Sequence, residues 1–166
     1  MTPAQRITPC LWFNFNAEAA VGHYCAIFNN AQIDKVVHYG PGQPGPEGAV
    51  MTILFAIEGQ SFLALNGGPQ FPFTSAISLI VNCDSQAEVD AYWERLSAGG
   101  AKGRCGWLTD KFGVSWQIVP RQLTELLTGG DADQANRVMK AVLAMGKFDI
   151  AAVRRAAGPN WEETPT

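Results

Sequence analysis

The chain has 166 residues, 47% of them hydrophobic and 16% charged, with a net charge of −3. That is the make-up of an ordinary globular protein, long enough to bury a core without disulfide or metal staples. No cluster of basic residues is present, which argues against nucleic acid and anionic membrane surfaces as partners.

The apolar pattern opens at Ile7, where Leu11, Phe13 and Phe15 fall on one side of a period-two run and Cys10, Trp12 and Asn14 on the other. This alternation predicts a strand. Asn16 offers a helix N-cap, with Glu18 favourably placed in the first turn. Ala17, Ala20, Val21, Tyr24, Cys25 and Phe28 then recur at helical spacing, and Asn29-Asn30 closes the helix. Strands are predicted over 32–39, 49–57 and 61–65, with Gly59-Gln60 as the tight turn between the last two.

The same order then returns. A strand is predicted over 76–81, followed by a helix opened by a Ser85/Glu88 capping box and ended by Gly99-Gly100. Val89, Tyr92, Trp93 and Leu96 mark the buried side of that helix. Strands over 107–109 and 114–119 are joined through 110–113. At an offset of 68 residues Leu11 maps to Leu79, Phe13 to Val81, Asn16 to Asp84, Val21 to Val89, Tyr24 to Tyr92 and Phe28 to Leu96. The match of cap and aromatic together reads as duplication. Duplicated half-sheets, each covered by one helix, must pack their remaining faces around each other or around a second copy, which predicts a ligand cleft.

Beyond Pro120 the pattern turns helical. Leu123, Leu126 and Leu127 form a short stripe broken at Gly129-Gly130. A longer helix is predicted from Asp133 with Val138, Met139, Val142 and Leu143 on one side, and Asp149 caps a last helix through Arg155. The expected organisation is α+β: a first module over about 5–68, a second over about 72–120, a helical extension over 121–157 and a frayed tail over 158–166. Cysteines 10, 25, 83 and 105 form no CxxC pair, and the first three sit in apolar runs, as reduced packed thiols do. The N-terminal residues lack the apolar core of a signal peptide, roughly 7–15 residues long. No run of ~18 apolar residues could span a bilayer. A cytoplasmic protein is the expectation.

The stretches CLWFNFNAEAAVGHYCAIFNNAQI, FLALNGG, CGWLTDKFGVSWQIVP and VMKAVLAMGKFDIAAVRRA together resemble the PhnB-like family of the vicinal oxygen chelate (glyoxalase/bleomycin-resistance) superfamily, whose members often carry the label 3-demethylubiquinone-9 3-methyltransferase. The resemblance covers about residues 5–156 and implies paired βαβββ modules and a homodimer. It also implies a divalent metal that chelates two neighbouring oxygens of a substrate. Carried onto this chain, the three metal-ligand positions fall near Pro9 or Cys10, near Ser75, and at Gln117. Only Gln117 has a possible ligand of the usual kind, a neutral amide; His23 and His38 lie at other positions. No metal and no cofactor are therefore expected. The proline-rich glycine loop over 40–46 also lacks the run of free amides that a methyl-donor cofactor needs.

The candidate ligand-binding residues are Trp12, Asn14, Asn66, Cys105, Trp107 and Gln117. All but Asn14 have a structural alternative. Trp12 and Trp107 could fill the interior, Asn66 could serve the turn before Gly67-Gly68, Gln117 could be a satisfied interior amide, and Cys105 could be an inert loop thiol. Three functions remain open: a metal-free protein binding a planar or amphiphilic small molecule, a lyase, isomerase or dioxygenase with a metal held by unexpected ligands, and the methyl transfer of the family label.

Overall fold

A computed structural model describes residues 5–129 and 131–159. The chain divides between Phe73 and Thr74 into two compact units. Unit 1 contains β1 (Cys10–Phe13), α1 (Ala17–Ile27), β2 (Ala31–His38), β3 (Val50–Ile57) and β4 (Gln60–Asn66). Its sheet has the order β1-β4-β3-β2, with β1 parallel to β4 and the other pairs antiparallel.

Alternation decides which face of this sheet is buried. Leu11, Phe13, Ile53, Phe55, Phe62 and Ala64 are buried, as are Ala17, Ala20, Val21, Tyr24 and Ile27 of α1, which packs across β2, β3 and β4. Tyr24 lies 6.5 Å from the Phe55 ring, which is stacked 5.4 Å from Phe62. Each such side chain contributes about 1.5–3 kcal/mol by leaving water.

The strand expected from Ile7 starts at Cys10, and Phe15 is not on its buried face. Phe15 lies in a bend at φ 54° and is 47% exposed. The hairpin turn is Glu58-Gly59, one residue earlier than expected. Both residues have positive φ, 47° and 80°, as a two-residue hairpin with right-handed strand twist demands.

Unit 2 repeats the plan with β5 (Leu79–Cys83), α2 (Gln86–Ser97), β6 (Ala101–Lys102), β7 (Trp107–Thr109) and β8 (Ser115–Pro120), in the sheet order β5-β8-β7-β6. β5 starts three residues later than the apolar pattern suggested, and the two-residue β6 is too short to show a period. The capping box forms: Ser85 Oγ accepts from the Glu88 amide at 3.2 Å, and the Glu88 carboxylate accepts from the Asp84 amide at 2.6 Å.

The two N-cap positions, Asn16 and Ser85, set the helix offset at 69. Ala20 then aligns with Val89, Tyr24 with Trp93 and Ile27 with Leu96, all buried. This corrects the offset of 68, under which Tyr24 met Tyr92, a half-buried residue. The two registers differ by one residue because both helices carry adjacent apolar pairs.

Helices α3 (Arg121–Thr128), α4 (Ala132–Val142) and α5 (Ile150–Ala157) complete the unit. Leu123, Leu126, Val138, Val142, Phe148, Val153 and Ala157 form their shared core. Met139 and Leu143, grouped with Val138 and Val142 on one side of the predicted helix, are 42% and 57% exposed. Helix α4 is capped by Asp131, whose Oδ1 accepts from the amides of Asp133 and Gln134. Asp149 caps α5 through the Ala152 amide at 2.9 Å, as its sequence position suggested. The expected frayed tail is described only at Gly158 and Pro159; the rest lies outside the described residues. Among the described residues no helix is long and apolar enough to cross a membrane.

Candidate ligand-binding faces

Pairing register fixes what each sheet shows on the side away from its helix. In unit 1 the row Trp12–Leu65–Thr52–Val37 runs beside the row Cys10–Leu63–Leu54–Lys35, so the only charge in these two rows is Lys35 on the β2 edge. Trp12 is half-buried and held from two directions: its indole Nε1 donates to the Gly68 carbonyl at 2.9 Å, and its ring lies over Gly67. A Cβ at Gly67 would stand 2.2 Å from that ring, so only glycine admits the indole there. Phe71 meets Trp12 edge-on at 5.0 Å and is itself 64% exposed. Gly67 and Phe71 were not singled out from sequence, because nothing local marks a glycine that lies under a tryptophan 55 residues away in the chain.

Asn14 is exposed just after β1 and has no packed role. Asn66 belongs to the helix side of the sheet and is 2% exposed. Its Oδ1 accepts from the Ala17 amide at 2.9 Å, while Nδ2 donates to Glu18 Oε2 at 2.7 Å and to the Val50 carbonyl at 3.0 Å. Asn16 occupies the N-cap position of α1 without a side-chain capping bond. The capping oxygen comes instead from Asn66, and its amide has little left to offer a ligand.

Loop 40–46 is tied down internally. Gln43 Oε1 accepts from the Gly40 amide at 2.8 Å, and the Gly48 amide donates to the Tyr39 carbonyl at 2.9 Å. The Tyr39 hydroxyl in turn donates to the Asn66 carbonyl at 2.5 Å. A loop whose amides point inward does not form a phosphate or sulfonium cradle.

In unit 2, Trp107 and Gln117 are direct cross-strand partners, and Ile80 flanks Gln117 on β5. Gln117 and Trp107 are half-buried, and Ile80 is 56% exposed. Gln117 Nε2 donates to Ser78 Oγ at 2.9 Å, which fixes the amide's nitrogen on Ser78. The extension covers the Val119 end of this surface. Cys105 belongs to that covered region: its thiol donates to the Val142 carbonyl at 3.5 Å, and the residue sits at φ 53°. Thus Trp107 and Gln117 come together on one face, while Cys105 packs against the helical core.

A divalent metal does not fit these residues. Ser75 lies in the turn before β5 and accepts a hydrogen bond from Ser115 at 3.3 Å. Cys10, expected as a packed thiol, is exposed, yet partial desolvation still raises its thiol above the ordinary value, which disfavours the thiolate a metal requires. Among the described residues no group of three or more His, Cys, Asp or Glu could hold an ion. Cys83 is pushed up to about 12, first by burial and then by the nearby Glu88 and Asp84 charges, so it stays a neutral thiol near pH 7.

The family model described as 3-demethylubiquinone-9 3-methyltransferase matches residues 5–119. A PhnB protein from Bacillus cereus carrying the same label is similar at 34% identity and a TM-score of 0.65, over 70% of this chain and 99% of that one. Protein PA1353 from Pseudomonas aeruginosa is similar at 23% identity and a TM-score of 0.58, over 70% of this chain and 98% of that one, a likeness of fold. No curated protein matches the chain.

Proposed function

Since the chain belongs to the 3-demethylubiquinone-9 3-methyltransferase family, the PhnB-like branch of the vicinal oxygen chelate superfamily, we propose that it binds a planar, amphiphilic small molecule without a divalent metal. The observation that carries this reading is the cross-strand pair of Trp107 and Gln117. An aromatic ring beside a fixed amide suits a flat ligand with a hydroxyl or N–H edge. The label shared with the Bacillus cereus protein points to the quinol class as a concrete example. A cytoplasmic homodimer is part of the same proposal. It rests on the family resemblance and on the four free cysteines.

Thermal-shift titration with a soluble ubiquinone analogue tests it. Full occupancy, about 100 times Kd, should add about 2.7 kcal/mol of stability. Trp107→Ala should weaken binding roughly tenfold, or about 1.4 kcal/mol. S-adenosylmethionine should give no shift, because the glycine-rich loop over 40–46 bonds its Gly40 and Gln43 amides internally. Stabilisation by that cofactor with none from quinones would replace this reading with methyl transfer.

A further inference from the structure

Asn66 is the only asparagine of the chain that a glycine follows. Asparagine is a chemically labile residue, and in an open chain it loses its side-chain amide fastest where the next residue has no Cβ to hinder ring closure. We propose that Asn66 is a deamidation site kept silent by the fold of unit 1, and that its modification after opening is one-way.

The step needs only water. The Gly67 backbone nitrogen attacks Asn66 Cγ, the Cγ–Nδ2 bond breaks, and Nδ2 leaves as ammonia with the Gly67 amide proton. Water then opens the cyclic imide at either carbonyl. One product is aspartate; the other is isoaspartate, whose main chain runs through Cβ.

The folded chain opposes each part of that step. The nitrogen that must attack is engaged, since the Gly67 amide donates to the Phe13 carbonyl at 3.0 Å. The amide that must leave is held at both ends: Nδ2 by Glu18 Oε2 and the Val50 carbonyl, Oδ1 by the Ala17 amide. Ring closure also requires the Asn66–Gly67 peptide to turn out of its strand. Asn66 ends β4 in register with Phe13, and its carbonyl accepts from the Tyr39 hydroxyl. Water is kept off as well, because Asn66 is 2% exposed and the Trp12 ring lies over Gly67.

Opening of unit 1 releases these restraints together, and the products cannot restore them. Both acids lack Nδ2, so the Val50 carbonyl loses its donor and a second carboxylate is set against Glu18. Isoaspartate also adds a main-chain atom where β4 pairs with β1.

The test is peptide mapping of the full chain after incubation at mildly alkaline pH, native and in denaturing urea at the same temperature. In urea Asn66 should convert faster than Asn29, which is exposed in the fold but is followed by Asn30. In the native chain Asn66 should convert at least about 100-fold more slowly than in urea, as a reaction that waits on rare opening does. Gly67→Ala, compared only in urea so that its effect on folding is immaterial, should slow conversion roughly tenfold through its added Cβ. Chain deamidated at Asn66, separated by its extra negative charge and returned to native buffer, should melt at least about 5 °C below unmodified chain from the same sample, or fail to refold. Four results overturn the proposal: weaker native protection, conversion in urea no faster than at Asn29, an unaltered rate in Gly67→Ala, or a smaller loss of melting temperature.

Discussion

Asn66→Leu is expected to destabilise unit 1 by roughly 3 kcal/mol or more, because it strips partners from three groups at once. Leucine preserves the shape of the side chain but leaves the Ala17 amide without its acceptor and the Val50 carbonyl without its donor. The Glu18 carboxylate also loses a 2.7 Å hydrogen bond. For a unit of this size the melting temperature should fall on the order of 12–20 °C, read by calorimetry or circular dichroism. Asn66→Asp is a sharper companion. It keeps an acceptor for Ala17 but sets a second carboxylate against Glu18. It should therefore still melt below wild type, and added salt, which screens the two carboxylates, should narrow the gap. A melting temperature unmoved in both variants would mean that α1 does not depend on this cap.

Gly106→Ala should loosen the attachment of the helical extension. Gly106 has φ 75°, a left-handed conformation that costs a residue with Cβ about 1–2 kcal/mol. The added Cβ would stand 2.6 Å from the Phe148 ring and 2.7 Å from the Ile118 carbonyl oxygen, an overlap worth about 1–3 kcal/mol more. Two backbone bonds cross at this point: the Cys105 amide donates to the Met145 carbonyl at 2.9 Å, and the Gly106 amide to the Gly146 carbonyl at 2.8 Å. Hydrogen exchange should therefore accelerate at Cys105 and Gly106 and along α5, while the amides of unit 1 keep their protection. Unchanged exchange along α5 would show that the extension is held elsewhere.

Much of the fold is legible in the sequence because its signals are local. Alternation around Leu11 and Phe13, the Ser85/Glu88 box and the Asp149 cap each act within a few residues, and each has its structural counterpart. What escaped is long-range. Asn16 is a sound N-cap candidate by type, yet the oxygen that α1 uses belongs to Asn66, 49 residues away in sequence. The register of the duplication slipped by one because Ala20 and Val21 are both apolar and both buried; only the N-caps separate 68 from 69. In α4 the apolar stripe does not by itself separate the buried Val138 and Val142 from Met139 and Leu143, which are exposed beside them.

The candidate site divides the same way. Trp107 and Gln117 were each visible as strand residues, and their adjacency follows from the register of the β7–β8 hairpin through 110–113. Asp110 anchors that turn: its carboxylate accepts from the Phe112 amide, the Val114 amide and the Trp116 indole. Ser78, which orients Gln117, was expected inside a strand over 76–81 but precedes β5, so alternation did not give its direction. The metal question was open to sequence reasoning only through family resemblance, since spacing alone does not say which side chains converge.

Metal analysis of protein purified without chelator, followed by calorimetric titration with Mn²⁺, Ni²⁺ and Zn²⁺, tests the ligand proposal most directly. Ring-and-amide faces without ionised donors should carry far less than one equivalent of metal and give no saturable heat. One firmly held ion per chain, released by Gln117→Ala, would contradict the proposal and make this a metal-dependent catalyst.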